Sequence, residues 1–144
     1  MPNEDSIVYS LHDQVDLNAA SVVDDGLGES NKQAAPIHLI KNLACFAKDP
    51  HEVVVGGAVG RTWGECCELQ QLWVTEEYRR QGIGTRLVKQ FEERAYLRGC
   101  RTFYLETFSF QLPEFYRSLG YECKLEISGF PDEIAKYVMA KGLV

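Results

Sequence analysis

The feature that most constrains the fold is an abrupt change of hydrophobic period after residue 74. An apolar run ends at Val74, and the turn that follows it contains Arg79, Arg80, Gly82 and Gly84. Beyond this turn, apolar residues recur about every 3.6 positions, which predicts an amphipathic helix. A strand, a basic glycine-containing turn and a helix start together predict an anion site, because the first backbone N–H groups of a helix have no internal partner.

The rest of the chain alternates between strand-like and helix-like patterns. Residues 14–35 are predicted to be helical with a break near Gly26 and Gly28. The hydrophobic stripe after the turn predicts a second helix from about residue 83 to Gly99, and proline and glycine signals predict a short third helix. Strands are predicted over residues 7–11, 39–47, 53–62, 66–74, 102–107, 121–127 and 136–140. Hairpins require antiparallel neighbours and a crossover helix implies a parallel pair, so the fold class is α/β with a mixed sheet.

Composition narrows the class of protein. The chain has 144 residues, of which 45% are apolar and 25% charged, and this predicts a single soluble domain over residues 1–144. The longest apolar run, residues 53–59, is far too short to cross a bilayer. Residues 1–5 are acidic and lack an apolar stretch, so we expect no signal peptide, no membrane association and a cytoplasmic location.

Charge and cysteine content indicate the kinds of ligand. Residues 1–78 carry 4 basic and 13 acidic residues, whereas residues 79–144 carry 11 basic and 8 acidic ones. The acidic half favours cationic ligands and the basic half anionic ones, while a net charge of −6 disfavours binding to nucleic acid. Five cysteines with no CxxC spacing predict reduced thiols, with neither a disulfide framework nor a metal site.

Two well-known phosphate-binding loops are excluded by the residues of the turn. A Rossmann fingerprint needs a third glycine where Leu87 stands, and a Walker loop needs a Gly-Lys-Ser/Thr sequence that is absent. The pattern Arg79-x-x-Gly82-x-Gly84 after a strand instead resembles motif A of the GNAT superfamily of N-acetyltransferases. A second segment, residues 113–122, resembles motif B of the same family, with an aromatic residue and Tyr116 three residues before Leu119-Gly120.

The resemblance covers residues 53–143 strongly and extends to a common branch of small bacterial enzymes. It implies a GNAT-like mixed, mostly antiparallel sheet flanked by helices, with a splay between the central strands, and acetyl-CoA as cosubstrate with no metal. Motif A would grip the pyrophosphate, and the strand before it would offer main-chain groups to the pantetheine. The cofactor-binding residues so implied are Trp73, Val74, Arg79, Arg80, Gln81, Gly82, Ile83, Gly84, Thr85 and Ser109.

Two residues depart from the family pattern. Many members carry an asparagine that helps to hold the pantetheine arm, and Ser109 stands at that position here. A hydroxyl can still bond an amide, although less extensively than an asparagine side chain. Leu112 stands where an alanine is common.

The catalytic candidates are Glu68 and Tyr116. Alternation along the strand would place Glu68 on one face with Gln70, Leu72 and Val74. Glu68 also matches the offset of the catalytic glutamate in the histone-acetylating branch, and its carboxylate could accept the amine proton directly or through one water. A water relay that does not involve Glu68 is left open. Tyr116 matches the family's motif B tyrosine, and its phenol could donate a proton to the leaving thiolate.

We therefore expect an acetyl-CoA-dependent N-acetyltransferase that acts on a primary amine of a small molecule or a protein by direct attack in a ternary complex. A covalent route through cysteine is disfavoured, because the three histidines lie within the first 51 residues and form no activating motif. The resemblance implies that the acidic segment of residues 22–31 walls the acceptor pocket and suits a cationic amine, and a solvated loop is the alternative. A non-catalytic acyl-CoA-binding regulatory module is the alternative, and a homodimer is left open.

Overall fold

The computed structural model describes residues 6–142, and the acidic start from which we predicted the lack of a signal peptide lies outside this range. The chain divides into two compact units, residues 1–37 and residues 38–144. The prediction of a single domain stays a prediction. Within the described residues, no helix is long and apolar enough to cross a membrane.

Among its described residues, the first unit contains one α-helix, α1 (Leu17–Ala34). Asp16 caps this helix, because its carboxylate accepts hydrogen bonds from the backbone N–H groups of Asn18 and Ala19. The predicted break at Gly26 and Gly28 is wrong, since α1 runs through both glycines at a cost of only about 1 kcal/mol each. The predicted strand at residues 7–11 is also wrong: the segment is exposed and pairs with no strand, so its β propensity has nothing to pack against.

The second unit is built on one six-stranded sheet. Its strands have the spatial order β1-β2-β3-β4-β6-β5, and every neighbouring pair is antiparallel except β3 and β4. The strands are β1 (Lys41–Lys48), β2 (Val54–Trp63), β3 (Cys66–Val74), β4 (Thr102–Phe108), β5 (Glu122–Ile127) and β6 (Lys136–Gly142). The predicted α/β class with a mixed, mostly antiparallel sheet is therefore confirmed.

Two helices flank this sheet, α2 (Ile83–Leu97) and α3 (Pro113–Ser118). The predicted stripe of α2 is buried in the main hydrophobic cluster, together with side chains from β2, β3, β4 and β6. The residues of the stripe within this cluster are Leu87, Val88, Phe91 and Ala95. We call the side of the sheet that carries α2 the helix face and the other side the open face.

A β-bulge interrupts β3 at its middle. Val59 of β2 pairs with Gln71 and Gly60 pairs with Leu69, so Gln70 is an extra residue without a partner across the pair. The predicted alternation along this strand is consequently wrong. Leu69 and Leu72 both pack on the core although three positions separate them, and Glu68 lies on the opposite face from Leu72 and Val74.

Gly60 is required by this bulge. A Cβ atom at this position would lie 1.9 Å from the carbonyl oxygen of Glu68 and 2.9 Å from the ring of Phe91. No residue with a Cβ atom fits at position 60 without a shift of the backbone, because real Cβ atoms do not approach other heavy atoms this closely.

The parallel pairing of β3 and β4 is short. It joins residues 66–69 to residues 102–105 and stops there, although both strands continue. The two strands therefore separate beyond Leu69 and Leu105, which confirms the predicted splay at the centre of the sheet.

Candidate active site

A cleft of about 1090 Å³ lies where β3 and β4 separate. Thr107 and Glu106 both line it, although successive side chains of a strand point to opposite faces of a sheet. Thr107 is buried on the side of Leu105, which belongs to the core under α2, whereas Glu106 is exposed on the open face. The cleft thus passes between the two strands and is lined from both faces of the sheet.

The basic turn forms the end of the cleft at the start of α2. Gly82 is the N-cap of α2, has a φ of 80° and supplies no capping side chain. A Cβ atom there would meet nothing within 4 Å, so the first turn of the helix is open to a ligand. Arg80 also has a positive φ, of 62°. This arrangement fits an anionic group such as a pyrophosphate, because the uncapped N–H groups and the helix dipole both favour negative charge.

Arg79 ties the turn to the strand. Its Nε donates a hydrogen bond of 2.8 Å to the carbonyl oxygen of Val74, the last residue of β3. This bond fixes the path of the chain between the strand and the helix, and Arg79 still lines the cleft.

The strand residues before the turn present backbone to the cleft. Trp73 and Val74 pair with Gly57 and Gly56 of β2 on one side. On the other side the ladder to β4 has already ended, so this edge of β3 has no strand partner at Val74, whose carbonyl oxygen accepts from Arg79. A strand edge of this kind is suited to bonding the amides of an extended ligand.

Most of the predicted cofactor-binding residues line the cleft, and two do not. The side chain of Gln81 lies within 3.5 Å of the carbonyl oxygen of Glu77. The Ser109 hydroxyl accepts a hydrogen bond of 3.0 Å from the backbone N–H of Ala135, which joins the end of β4 to the start of β6. The residues that line the cleft are Trp73, Val74, Arg79, Arg80, Gly82, Ile83, Gly84 and Thr85.

Tyr116 lines the cleft from α3 and is only 7% exposed. Its ring makes edge contacts with the rings of Phe115 and Tyr121. Burial raises the pKa of the Tyr116 phenol to about 12. Within residues 6–142 its hydroxyl makes no hydrogen bond, and no side-chain polar atom there is both buried and unpaired, so this hydroxyl reaches the open space of the cleft.

A buried polar cluster holds the end of α3 against α2. The Tyr121 hydroxyl donates a 2.7 Å hydrogen bond to the Glu92 carboxylate, which also accepts one of 3.0 Å from the Lys141 ammonium. Lys141 donates a further bond to the carbonyl oxygen of Leu119. The charged groups of this cluster, Glu92 and Lys141, are paired with each other. The cluster therefore holds the segment that follows Tyr116 in place.

Glu68 lies at the point of the splay and does not line the cleft. Its carboxylate forms an ion pair with Arg61, in which Nε donates to Oε1 over 2.9 Å. Its neighbour across the parallel pair is Tyr104, whose pKa is raised by burial and then by the Glu68 charge. The structure therefore brings Tyr116 and the basic turn to one cleft and places Glu68 beside that cleft.

Among the polar residues of the cleft that were not predicted from the sequence, three follow the end of the β3–β4 ladder. They are Glu106 and Thr107 of β4 and Gln111, whose side-chain oxygen accepts a hydrogen bond of 2.8 Å from the backbone N–H of Phe108. Their position at the end of a strand with a parallel neighbour could have predicted them, since ligands bind at such ends in α/β sheets.

No cysteine lines the cleft in the described part of the chain. Cys67 and Cys100 are buried in the core, and burial raises the pKa of the Cys67 thiol to about 12. Within the same residues, no group of three or more His, Cys, Asp or Glu side chains is placed to hold a metal ion.

The sequence matches the model of the Acetyltransferase (GNAT) family over residues 17–121. It is also 31% identical over 112 residues to the Blasticidin-S acetyltransferase of Streptomyces morookaense, an alignment that covers 77% of this chain and 80% of the relative.

Solved structures share the fold. An acetyltransferase from Bacillus cereus has a TM-score of 0.78 at 23% identity, with 94% of this chain and 98% of that chain covered. An aminoglycoside 6'-N-acetyltransferase complexed with coenzyme A has a TM-score of 0.63 at 24% identity, with 84% and 81% covered. The chain therefore belongs to the GNAT acetyltransferase family, and it is an N-acetyltransferase that uses acetyl-CoA as its cosubstrate.

Proposed function

We propose that this enzyme acetylates a cationic primary amine by direct attack within a ternary complex. The observation that supports this most strongly is the cleft between β3 and β4, which is lined from both faces of the sheet. A thioester held from the helix face and an amine that enters from the open face can meet between the strands. The reaction then needs no covalent enzyme intermediate, and the lack of a cysteine among the described cleft residues agrees with this route.

The basic turn would bind the pyrophosphate of acetyl-CoA, and the unpaired edge of β3 would bind the pantetheine. Gly82, Ile83, Gly84 and Thr85 supply the first turn of α2, and the two arginines supply positive charge. Gln81 and Ser109 remain proposed cofactor-binding residues. Their side chains would have to leave Glu77 and Ala135 to contact the ligand, so we assign them backbone contacts at most.

Tyr116 would act as the general acid. The amine nitrogen bonds to the acetyl carbon, the carbon–sulfur bond breaks, and the sulfur leaves with the bonding electron pair. The Tyr116 hydroxyl can donate its proton to this thiolate, because a pKa of about 12 keeps the phenol protonated over the whole physiological range.

Glu68 would accept the proton that the ammonium loses, through one or more waters. Its carboxylate lies outside the cleft and shares Oε1 with Arg61, so direct contact with the amine requires that the ion pair open. A chain of water molecules without Glu68 is the other route, and substitution of Glu68 distinguishes the two.

We propose a small-molecule acceptor, since a relative and a solved structure are named for substrates of that kind, blasticidin-S and an aminoglycoside. A protein or peptide amine is the second candidate. We further propose that the enzyme works in the cytoplasm, with no nucleic-acid or membrane partner, and light scattering of the purified protein would decide between a monomer and a homodimer.

The test is acetyl-CoA turnover with a panel of primary amines, with thiol release measured and the acetylated product identified by mass. We expect amine-dependent thiol release and an N-acetyl product. Tight acetyl-CoA binding with no product from any amine of the panel would instead support a regulatory acyl-CoA-binding module.

A further inference from the structure

Glu106 is the only carboxylate that lines the cleft within residues 6–142. It is the first residue of β4 beyond Leu105, the last residue that pairs with β3. Its side chain is 56% exposed, on the open face of the sheet. The carboxylate thus stands at the mouth of the cleft where the strands have just parted.

The two ends of the cleft carry side chains of opposite charge. Arg79 and Arg80 line it at the start of α2, on the helix face, whereas Glu106 lines it on the open face. The basic end suits the anionic cosubstrate. A ligand that enters from the other end meets a carboxylate, a group that binds cations.

Glu106 already has an ammonium partner. The Nζ atom of Lys136 lies 3.3 Å from Oε2 of Glu106 and 5.2 Å from the centre of the Phe108 ring. A carboxylate and an aromatic face together form a site that binds an ammonium ion without removing its proton. A charged group of a ligand can share the carboxylate with Lys136 or displace it.

Two exposed aromatic rings line the same cleft as this carboxylate. Trp73 and Phe110 also line the cleft, and they are 54% and 66% exposed. Phe110 stacks on Phe108 with ring centres 5.4 Å apart, so its ring is held beside the ammonium site. Exposed aromatic rings in a cleft favour the burial of a flat or apolar part of a ligand.

We propose that Glu106 determines acceptor specificity by binding a second positive charge of the amine substrate, while Trp73 and Phe110 contact the flat or apolar body between its two charges. The inference rests on the proposed function, because it assigns the substrate side of that cleft. The charge bound by Glu106 stays charged throughout the reaction, whereas the nitrogen that attacks must lose a proton. The substrate class is therefore primary amines with a second cationic group on a flat or apolar body.

Three amines with one ring and different second groups test this proposal: para-xylylenediamine, para-methylbenzylamine and para-(aminomethyl)benzoate. For the wild type, we expect kcat/KM to be highest for the diamine and lowest for the carboxylate. In Glu106→Gln the preference for the diamine over para-methylbenzylamine should fall about tenfold or more, because an amide cannot form the charge-assisted bond.

A matched control is Glu126→Gln, which makes the same chemical change at an exposed position on β5 outside the cleft. It should keep the wild-type preference for the diamine. If Glu106→Gln keeps that preference as well, while the wild type acetylates all three amines, the specificity role of Glu106 is refuted and the proposed transfer stands.

A binding measurement separates the two proposals. The affinity of para-xylylenediamine is measured by calorimetry with coenzyme A at saturation, where no acetyl group is present. We expect Glu106→Gln to weaken this affinity about tenfold and Glu126→Gln to leave it unchanged. Binding that depends on Glu106 without any turnover would support the subsite and reject the transfer. Wild-type enzyme that does not bind the diamine would overturn the subsite.

Discussion

Replacement of Tyr116 by phenylalanine removes one hydroxyl from the cleft and keeps the ring that packs against Phe115 and Tyr121. The hydroxyl forms no hydrogen bond with the described residues, so the folded state loses no internal bond. We expect Tyr116→Phe to change the free energy of unfolding by less than about 1 kcal/mol. Acetyl-CoA affinity should also stay close to that of the wild type.

The effect on turnover should be much larger. With a pKa of about 12, the phenol is protonated at every pH used for assays and can donate to the leaving thiolate. General acid catalysis contributes about 10²–10⁴-fold, and water can partly replace the lost donor. We therefore expect kcat to fall by at least about tenfold with KM nearly unchanged, because the bond forms to charge that develops in the transition state.

The assay is steady-state kinetics at saturating acetyl-CoA with the best amine of the panel, after rapid-mixing experiments have shown that chemistry limits the rate. Tyr121→Phe is the matched control, because its hydroxyl bonds to Glu92 and lies outside the cleft. The control should lose about 1–3 kcal/mol of stability and less activity than Tyr116→Phe. A kcat for Tyr116→Phe within about twofold of the wild type would mean that Tyr116 only packs.

Four further predictions follow from the site and the sheet. Gly84→Asp should weaken acetyl-CoA binding strongly, because it adds negative charge at the anion site. The control Gly84→Ala should bind acetyl-CoA nearly normally, because its Cβ would meet other atoms only at 3.6 Å or more. Equal affinities of the two variants by calorimetry would mean that the pyrophosphate binds elsewhere. Glu68→Gln should lower kcat with a loss that depends on pH, and a pH–rate profile identical to that of the wild type would leave the water relay as the route. Gly60→Ala should lower the free energy of unfolding by about 3 kcal/mol or more, since its Cβ cannot fit at 1.9 Å from a carbonyl oxygen; a normal melting temperature would refute the bulge. The pKa of Tyr116 is raised from 10 to about 12 in the folded state, so between pH 10 and 12 its phenol ionises mainly in the unfolded chain. The free energy of unfolding of the wild type should therefore fall over this range by on the order of 2 kcal/mol more than that of Tyr116→Phe. Denaturant titrations of both proteins at pH 10 and 12 measure this difference.

Much of the sheet could be predicted because its signals are local. The basic turn, the stripe of α2 and the proline and glycine around α3 each act within a few residues, and the structure has these elements close to the expected bounds. The strand expected at residues 7–11 failed for the opposite reason. A strand is stable only with a partner, and the segment itself carries no information about whether a partner is present.

The bulge at Gln70 explains why the faces of β3 were predicted wrongly. An extra residue in one strand shifts every later side chain to the other face, and residues 66–74 alone do not show it. The local sign of the bulge is Gly60, which belongs to the neighbouring strand. Glu68 was therefore expected on the same face as Leu72 and lies on the other one.

The position of Glu106 could not be predicted from a motif. Its place in the cleft depends on where the β3–β4 ladder ends, and this follows from the geometry of two strands that are far apart in sequence. Motif residues such as Tyr116 and Gly82 could be found because their spacing within one segment resembles that of the family.

The central claim is that the acetyl group passes directly from acetyl-CoA to an amine within the cleft between β3 and β4. The most direct test follows a deuterated acetyl group by mass spectrometry, with intact protein and amine product measured in the same reaction. We predict that enzyme incubated with labelled acetyl-CoA alone carries no label after desalting, and that the label appears on the amine only when both substrates are present. Enzyme that keeps the label after desalting and then passes it to an added amine would contradict the account.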